Sequence, residues 1–205
     1  MNRAELKAQA KEQIKGKIGI IFVTMLVMAI VSAVAAGVLS LIPVVGSLVA
    51  SIIVTPAFTL SAVRIYLNVA NGGRPSVGDG FSGFDDVWAA FKVTFFIGLY
   101  TFLWSLLFVI PGIVKAISYS MSMYVLAENK GMPAHDCIAQ SKEMTNGHKM
   151  DLFVLELSFI GWILLGAITF GIAFIWVMPY METTYVNAYN VLKPAKADAY
   201  TQIPQ

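Results

Sequence analysis

An uncharged stretch of 46 residues, from Ile18 to Val63, constrains the fold of this chain more than any other feature. A single helix of that length would measure roughly 69 Å, which is over twice the thickness of the hydrocarbon core of a bilayer. The stretch therefore predicts two membrane spans, with the break near Pro43 and Gly46. Charged residues make up only 13% of the chain, whereas they make up roughly a quarter of a soluble domain, so we expect one domain that lies in the membrane.

Apolar and polar segments alternate in a regular order along the chain. This order predicts an all-α membrane protein with six transmembrane helices, arranged as three hairpins that are each preceded by a cytoplasmic amphipathic helix. The predicted spans are residues 18–42, 47–69, 93–109, 113–127, 151–168 and 171–191. Residues 71–92 and 133–149 are the predicted cytoplasmic connections, and we expect the polar tail 193–205 to be disordered.

The N-terminal segment, residues 1–17, has the spacing of an amphipathic helix. A stripe of lysines lies beside an apolar stripe, so we expect this helix to lie on the cytoplasmic surface and to be attracted to anionic lipid. So few charges do not indicate binding to nucleic acid. The two stripes are Lys7, Lys11 and Lys15, and Leu6, Ala10 and Ile14.

The distribution of basic residues predicts the topology. Lysine and arginine are concentrated in the N-terminal segment, the two long connections and the tail. The turns near Pro43 and at Thr169-Phe170-Gly171 carry no charge, and the turn predicted at Pro111-Gly112 has only Lys115 beside it. The positive-inside rule therefore predicts that both termini are cytoplasmic.

Gly78, Gly80 and Gly83 match the dinucleotide-binding pattern G-x-G-x-x-G. We reject that function, because no strand precedes the motif and a membrane span follows where the second strand should be. The sequence predicts a flexible loop here.

The order of amphipathic helix, span, tight turn and span occurs three times, which predicts an internal repeat. The last two units align without gaps at a shift of 61 residues. Parallel repeats would place the pseudosymmetry axis along the membrane normal, so the second, fourth and sixth spans could gather their polar faces around a central cleft. The shift pairs Tyr119 with Tyr180, Tyr124 with Tyr185 and Asn129 with Asn190.

Glu156 and Glu182 lie in the two apolar helices of the last hairpin, at similar predicted depth. Carboxylates in a bilayer usually face a bundle interior and have a partner, so the pair could serve proton coupling, cation binding or recognition of a cationic ligand. Alternatively, each is a structural carboxyl that bonds to a hydroxyl or faces Arg64. The candidate ligand-binding or proton-coupling residues are Glu182, Glu156, Tyr180, Thr183, Tyr119, Ser122, Thr59 and Arg64.

Several kinds of chemistry find no support in the sequence. The single cysteine, Cys137, excludes an internal disulfide and is expected to be a small buried side chain. His135 and His148 are too far apart to form a metal-ligand pair on one helical turn. Because no nucleophile elbow, zinc-protease motif or P-loop is present, we predict no cofactor, no metal site and no enzymatic activity.

The chain also resembles a known family. The strings RAELKAQAKEQIKGK, IPGIVKAISYSMSMYVLAENKGM, SKEMTNGHKMDLFVLELSFIGW and PYMETTYVNAY are similar to DUF975, an uncharacterised family of bacterial integral membrane proteins found mainly in Gram-positive bacteria. The resemblance covers nearly the whole chain and implies a multi-pass protein of the bacterial cytoplasmic membrane. It implies no activity and no functional residues.

Two functions remain open at this stage. The leading hypothesis is a non-catalytic membrane protein that binds a lipid, another amphipathic ligand or a partner protein in a cytoplasm-facing polar cleft. The alternative is a small transporter or channel, with proton coupling through Glu156 and Glu182.

Overall fold

The computed structural model describes residues 2–39, 41–42, 46, 49–107 and 109–193, and within them it contains helices and no strands. A π-helical stretch, Ala50–Val54, leads into α3, and a 3-10 helix, Val77–Asp86, leads into α4. The α-helices are α1 (Arg3–Ile14), α2 (Ile18–Leu39), α3 (Thr55–Ala70), α4 (Val87–Leu107), α5 (Val109–Tyr119), α6 (Ser122–Glu128), α7 (Ala134–Met144), α8 (Lys149–Leu157), α9 (Ile160–Ile168) and α10 (Phe174–Leu192).

Five helical segments of the described chain are long and apolar enough to cross a membrane. They divide into two kinds. The segments Ile18–Leu39, Val77–Leu106 and Lys149–Ile168 have 17%, 11% and 22% of their most apolar window buried, whereas Ile52–Ala70 and Ile110–Glu128 have 56% and 50%. The first, third and fifth segments therefore expose apolar side chains outward, and the second and fourth form the interior.

The predicted sixth span, 171–191, forms α10 but is not among these five segments. Its composition explains this, because α10 carries a carboxylate, two threonines and two asparagines between its apolar residues. The total of six spans therefore remains a prediction. Residues 194–205 of the predicted tail, and Pro43 of the first predicted turn, lie outside the described residues.

The turn predicted at Pro111-Gly112 is wrong. Both residues belong to the first turn of α5, which already begins at Val109. Proline is tolerated there because the first N–H groups of a helix have no partner within the helix. Gly112 is needed for close packing, since a Cβ atom at this position would overlap Ser105 of α4. The hairpin turn expected at Thr169-Phe170-Gly171 lies between α9 and α10, where Phe170 and Gly171 have φ values of 51° and 90°.

Residues 77–86 do not form the flexible loop that we predicted. Their 3-10 helix packs between α2 and α3. The rings of Phe81 and Phe84 contact the ring of Phe58 on α3 at centroid distances of 6.0 and 5.2 Å. Gly83 is buried against α3, and its backbone N–H donates a hydrogen bond to the Ser61 hydroxyl at 2.8 Å. Gly83 of the motif therefore serves helix packing.

Each of the three segments predicted at the cytoplasmic surface packs on an interior helix. The 3-10 helix packs on α3, α7 packs on α6, and α1 packs on α10 at the other end of the chain. A buried polar side chain supports each contact: the Ser61 hydroxyl accepts from the Gly83 N–H, the Ser141 hydroxyl accepts from the Met121 N–H at the start of α6 at 3.2 Å, and Asn187 donates to the Leu6 carbonyl at 3.2 Å. This contact order suits three parallel units around an axis, although the repeat itself stays a prediction.

The apolar stripe of α1 contacts protein. Leu6, Ala10 and Ile14 are buried against the helical core, mainly α10. Gln13 extends the contact, because its side-chain amide donates to the Ala70 carbonyl at the end of α3 at 2.8 Å. The stripe that we expected to face lipid thus joins the first helix to the last. Attraction of the lysine stripe to anionic lipid remains a prediction.

Candidate functional site

A group of phenols surrounds the carboxylate of Glu182 where α3, α6 and α10 meet. We call Glu182, Tyr66, Tyr124, Tyr185 and Tyr189 the tyrosine–carboxylate cluster. The Tyr124 hydroxyl donates a hydrogen bond to Glu182 at 3.4 Å, and the Tyr124 ring stacks on Tyr189 at a centroid distance of 5.6 Å. Glu182 also interacts electrostatically with the phenols of Tyr66 and Tyr185. The half-buried carboxylate therefore has several hydroxyl groups around it.

An ion pair between Glu128 and Lys193 lies beside Tyr189 of the cluster. The Tyr189 hydroxyl donates to the Glu128 carboxylate at 2.8 Å, and the Lys193 ammonium contacts the other oxygen of Glu128 at 2.8 Å. Glu128 thus has two partners of its own. Glu182 is left with the weaker 3.4 Å contact, which leaves capacity to bind another donor.

An aromatic group lies on α10 before Glu182, with Tyr180 two residues away in the sequence. Tyr180 is 2% exposed and stacks on Trp176 at a centroid distance of 5.7 Å. Phe159 and Trp162 contact the edge of this stack at 5.5 and 6.0 Å from the Tyr180 centroid. Tyr180 therefore forms part of an aromatic wall where α9 meets α10.

Two lysines of α1 lie over this aromatic group. The Lys7 ammonium is 4.2 Å from the centroid of the Phe159 ring and 3.4 Å from the Ser158 carbonyl, and Lys11 is 5.6 Å from the centroid of Tyr180. Burial, together with the charge of Lys11, lowers the pKa of Lys7 below its usual value. Cation–π contacts of this kind hold α1 against the last hairpin.

A groove of about 360 Å³ opens between α2 and α10 next to the cluster. Its walls are apolar side chains such as Phe22, Met25 and Met178, and Tyr66 of the cluster is its polar residue. The groove also reaches Pro179, which is three residues from Glu182. We call it the α2–α10 groove. The groove adjoins the cluster at Tyr66, and Glu182 is not one of the residues that line it.

The structure places the two predicted carboxylates differently. Glu182 is half-buried in the cluster, whereas Glu156 on α8 is exposed. Both interact electrostatically with Tyr185, so they belong to one neighbourhood. Thr183 and Ser122 are fully buried, and neither hydroxyl has a hydrogen-bond partner within the described residues.

Three predicted site residues lie elsewhere. Thr59 is exposed and donates to the Thr55 carbonyl of its own helix at 2.8 Å. Tyr119 is buried next to Tyr100, at a centroid distance of 6.1 Å, and lines a different pocket. Arg64 faces neither Glu156 nor Glu182. It pairs with Asp86 at 2.5 Å and donates to the Ser82 carbonyl, so its role is to hold the 3-10 helix on α3.

Sequence reasoning missed four members of the site, namely Tyr66, Tyr124, Tyr185 and Tyr189. A signal was present for two of them, because the shift of 61 residues pairs Tyr124 with Tyr185. Tyr66 lies on the face of the second predicted span that carries hydroxyl groups. A tyrosine in an apolar helix is compatible with packing or with a polar site, and only the structure shows that these phenols converge on one carboxylate.

Cys137 should react slowly in the native protein. It is fully buried on α7, and burial, with a contribution from the charge of Asp136, raises the pKa of its thiol to about 11. The thiolate is therefore scarce near neutral pH and becomes abundant only as the pH rises towards that value. Relative to a free thiol of pKa about 8.5, we expect maleimide labelling at pH 7.5 to be at least about a hundredfold slower. Fast labelling before denaturation would contradict this burial, and labelling in sodium dodecyl sulfate provides the control.

The described part of the chain is helical, and its five long apolar helices suggest a membrane protein. The chain matches the family described as protein of unknown function (DUF975) over residues 1–118 and 106–196. It belongs to that family, and the family resemblance noted in the sequence is confirmed. No curated protein and no solved structure matches the chain.

Proposed function

We propose that this protein is a non-catalytic membrane protein that binds a lipid or other amphipathic ligand beside Glu182. The apolar chain of the ligand lies in the α2–α10 groove, and its head group meets the tyrosine–carboxylate cluster. The observation that carries the proposal is the lining of the groove, which includes Tyr66 of the cluster and Pro179, three residues before Glu182 on α10.

The chemistry of the two parts supports an amphipathic ligand. Ligand sites are concave and mostly apolar, with a few polar groups that set the orientation of the ligand. A carboxylate in a membrane protein is costly unless it has a partner, and Glu182 has one weak hydrogen bond from Tyr124. A head group with an amine or a hydroxyl would donate to this carboxylate. The lysines of α1 lie at the edge of the same aromatic wall and can contact an anionic part of the head group.

Native mass spectrometry of the protein in mild detergent tests this proposal. We expect the wild-type protein to retain a small molecule of defined mass, and the Glu182→Gln variant to lose most of it. Glutamine still accepts the Tyr124 hydrogen bond, so this change removes the charge and keeps the local packing. The variant Ala29→Trp should also lose the ligand, because Ala29 lines the groove and an indole would fill it.

Val34→Trp is the matched control for the groove. Val34 is 61% exposed on the same helix and lies about 140° around the helix axis from Ala29, so an added indole there faces away from the groove. Retention of the same mass in Val34→Trp and loss in Ala29→Trp would support the proposal. Equal retention in all variants would contradict it, and bare protein in every sample would favour a partner protein.

A proton-coupled transporter is the second candidate. The observation in its favour is that the half-buried Glu182 has one long hydrogen bond, from Tyr124, so its carboxylate can take up and release a proton. This function predicts flux in proteoliposomes that depends on a pH gradient and disappears in Glu182→Gln. Ligand retention without flux would favour the binding function.

A further inference from the structure

A second polar pocket, distinct from the α2–α10 groove, lies where α7 meets the α4–α5 hairpin. Its volume is about 340 Å³. Two lysines, two tyrosines, a tryptophan and a histidine line it, and we call it the α7 pocket. These residues are Lys115, Lys142, Tyr100, Tyr119, Trp104 and His135.

Lys115 is an unexpected residue in this position. It lies within the apolar candidate span Ile110–Glu128, is half-buried, and places its ammonium 4.6 Å from the centroid of the Trp104 ring. Within the described part of the chain neither Lys115 nor Lys142 forms an ion pair, and no carboxylate lines the pocket. Charged residues in membrane helices usually pair or mark a binding site. His135 differs from the two lysines because it has an acidic neighbour: a carboxylate oxygen of Asp136 lies 3.5 Å from its ring nitrogen Nδ1.

The surface around the pocket changes from polar to apolar. Exposed residues of α7 are polar, such as Lys142 and Glu143, whereas the neighbouring α4 exposes Leu99, Phe102 and Leu103. This change is expected at the boundary between water and lipid. Basic pockets between helices at such a boundary bind phospholipid head groups.

We propose that the α7 pocket binds the phosphate of an anionic phospholipid, with Lys115 and Lys142 on the phosphate and the acyl chains along the exposed face of α4. Two unpaired ammonium groups attract the phosphate, and the Tyr100 and Tyr119 hydroxyls add donors at the pocket wall. A free phosphate ion offers the same chemistry, but the adjoining apolar face favours the lipid. This site does not involve Glu182, so it stands independently of the proposed function.

The test compares lipid binding by two double variants that lose the same charge. The protein is placed in phosphatidylcholine nanodiscs, phosphatidylglycerol is titrated in, and bound lipid is counted by native mass spectrometry. We expect Lys115→Gln with Lys142→Gln to weaken phosphatidylglycerol binding about thirtyfold, because each lysine near an anionic lipid contributes about fivefold. The control, Lys92→Gln with Lys130→Gln, changes two exposed lysines outside the pocket and should bind as the wild type does.

An equal loss in both double variants, or no loss in the pocket variant, would overturn the proposed site. If inorganic phosphate or glycerol 3-phosphate displaced phosphatidylglycerol at the same concentration as the lipid, the pocket would be a site for free phosphate and not for a phospholipid. The single variant Lys142→Gln should fold normally, because this side chain is exposed. We expect it to bind phosphatidylglycerol about fivefold more weakly than the wild type.

Discussion

Replacing Asp86 by alanine is expected to lower the free energy of unfolding by about 3–5 kcal/mol, because it leaves a buried guanidinium without its counter-charge. The side chains of Arg64 and Asp86 are only 12% and 16% exposed, and their charged atoms are 2.5 Å apart. Another guanidinium nitrogen of Arg64, Nε, already lacks a partner within the described residues. The measurement is reversible unfolding in mixed micelles of mild detergent and sodium dodecyl sulfate.

Glu12→Ala is the control for this prediction. Glu12 pairs with Lys15 at 4.0 Å, but both side chains are more than three-quarters exposed, so this pair should contribute at most about 0.5 kcal/mol. The double variant Arg64→Met with Asp86→Leu should regain much of the stability, because it removes both charges together. If Asp86→Ala lowers the free energy of unfolding by no more than Glu12→Ala does, the result contradicts a buried ion pair between Arg64 and Asp86.

Gly83→Ala is expected to destabilise the protein by about 3 kcal/mol, through overpacking and the loss of a buried hydrogen bond. A Cβ atom at Gly83 would overlap the Ala57 carbonyl and the Ser61 side chain, and backbone atoms of α3 cannot move aside cheaply. The same change would push the Gly83 N–H away from Ser61. Thermal unfolding in detergent, followed by circular dichroism at 222 nm, measures the effect.

Gly78→Ala provides the matched control in the same motif. A Cβ atom there would lie 3.7 Å from the nearest atom, the Ser76 hydroxyl oxygen, so we expect a change below about 0.5 kcal/mol. A large loss of stability at Gly83 with none at Gly78 would establish that Gly83 is required for helix packing. Equal effects at the two positions would be inconsistent with the close contact between the 3-10 helix and α3.

The sequence predicted that the second, fourth and sixth spans gather their polar faces around a central cleft. Hydroxyl and tyrosine side chains recur on the second and fourth predicted spans, and the corresponding segments Ile52–Ala70 and Ile110–Glu128 are the most buried of the five candidate spans. The burial of these two spans agrees with the prediction, because apolar side chains alone suffice on a face that contacts lipid, whereas a polar side chain in a membrane needs a protein partner. The cleft, the six-span count and the repeat stay predictions.

The partners of the charged residues were not predictable in the same way. Arg64 was considered as a partner of the two glutamates, but it pairs with Asp86, which is brought near only because residues 77–86 fold back along α3. The glycine pattern of that segment is equally compatible with a loop. Similarly, two carboxylates at one predicted depth suggested a pair, whereas Glu182 bonds to Tyr124 and Glu156 is exposed.

By itself, then, the sequence determined that this chain forms apolar helices with polar interior faces, because periodicity and the absence of charge depend on local residue order. Tertiary structure alone decided where the amphipathic surfaces go. The stripe of Leu6, Ala10 and Ile14 suits a lipid surface and a protein surface equally well, and only the fold shows that it is buried, with α1 packed mainly on α10. The packing of α3 against α6 and α10 brings Tyr66 and Tyr124 near Glu182, although these residues lie far apart in the chain.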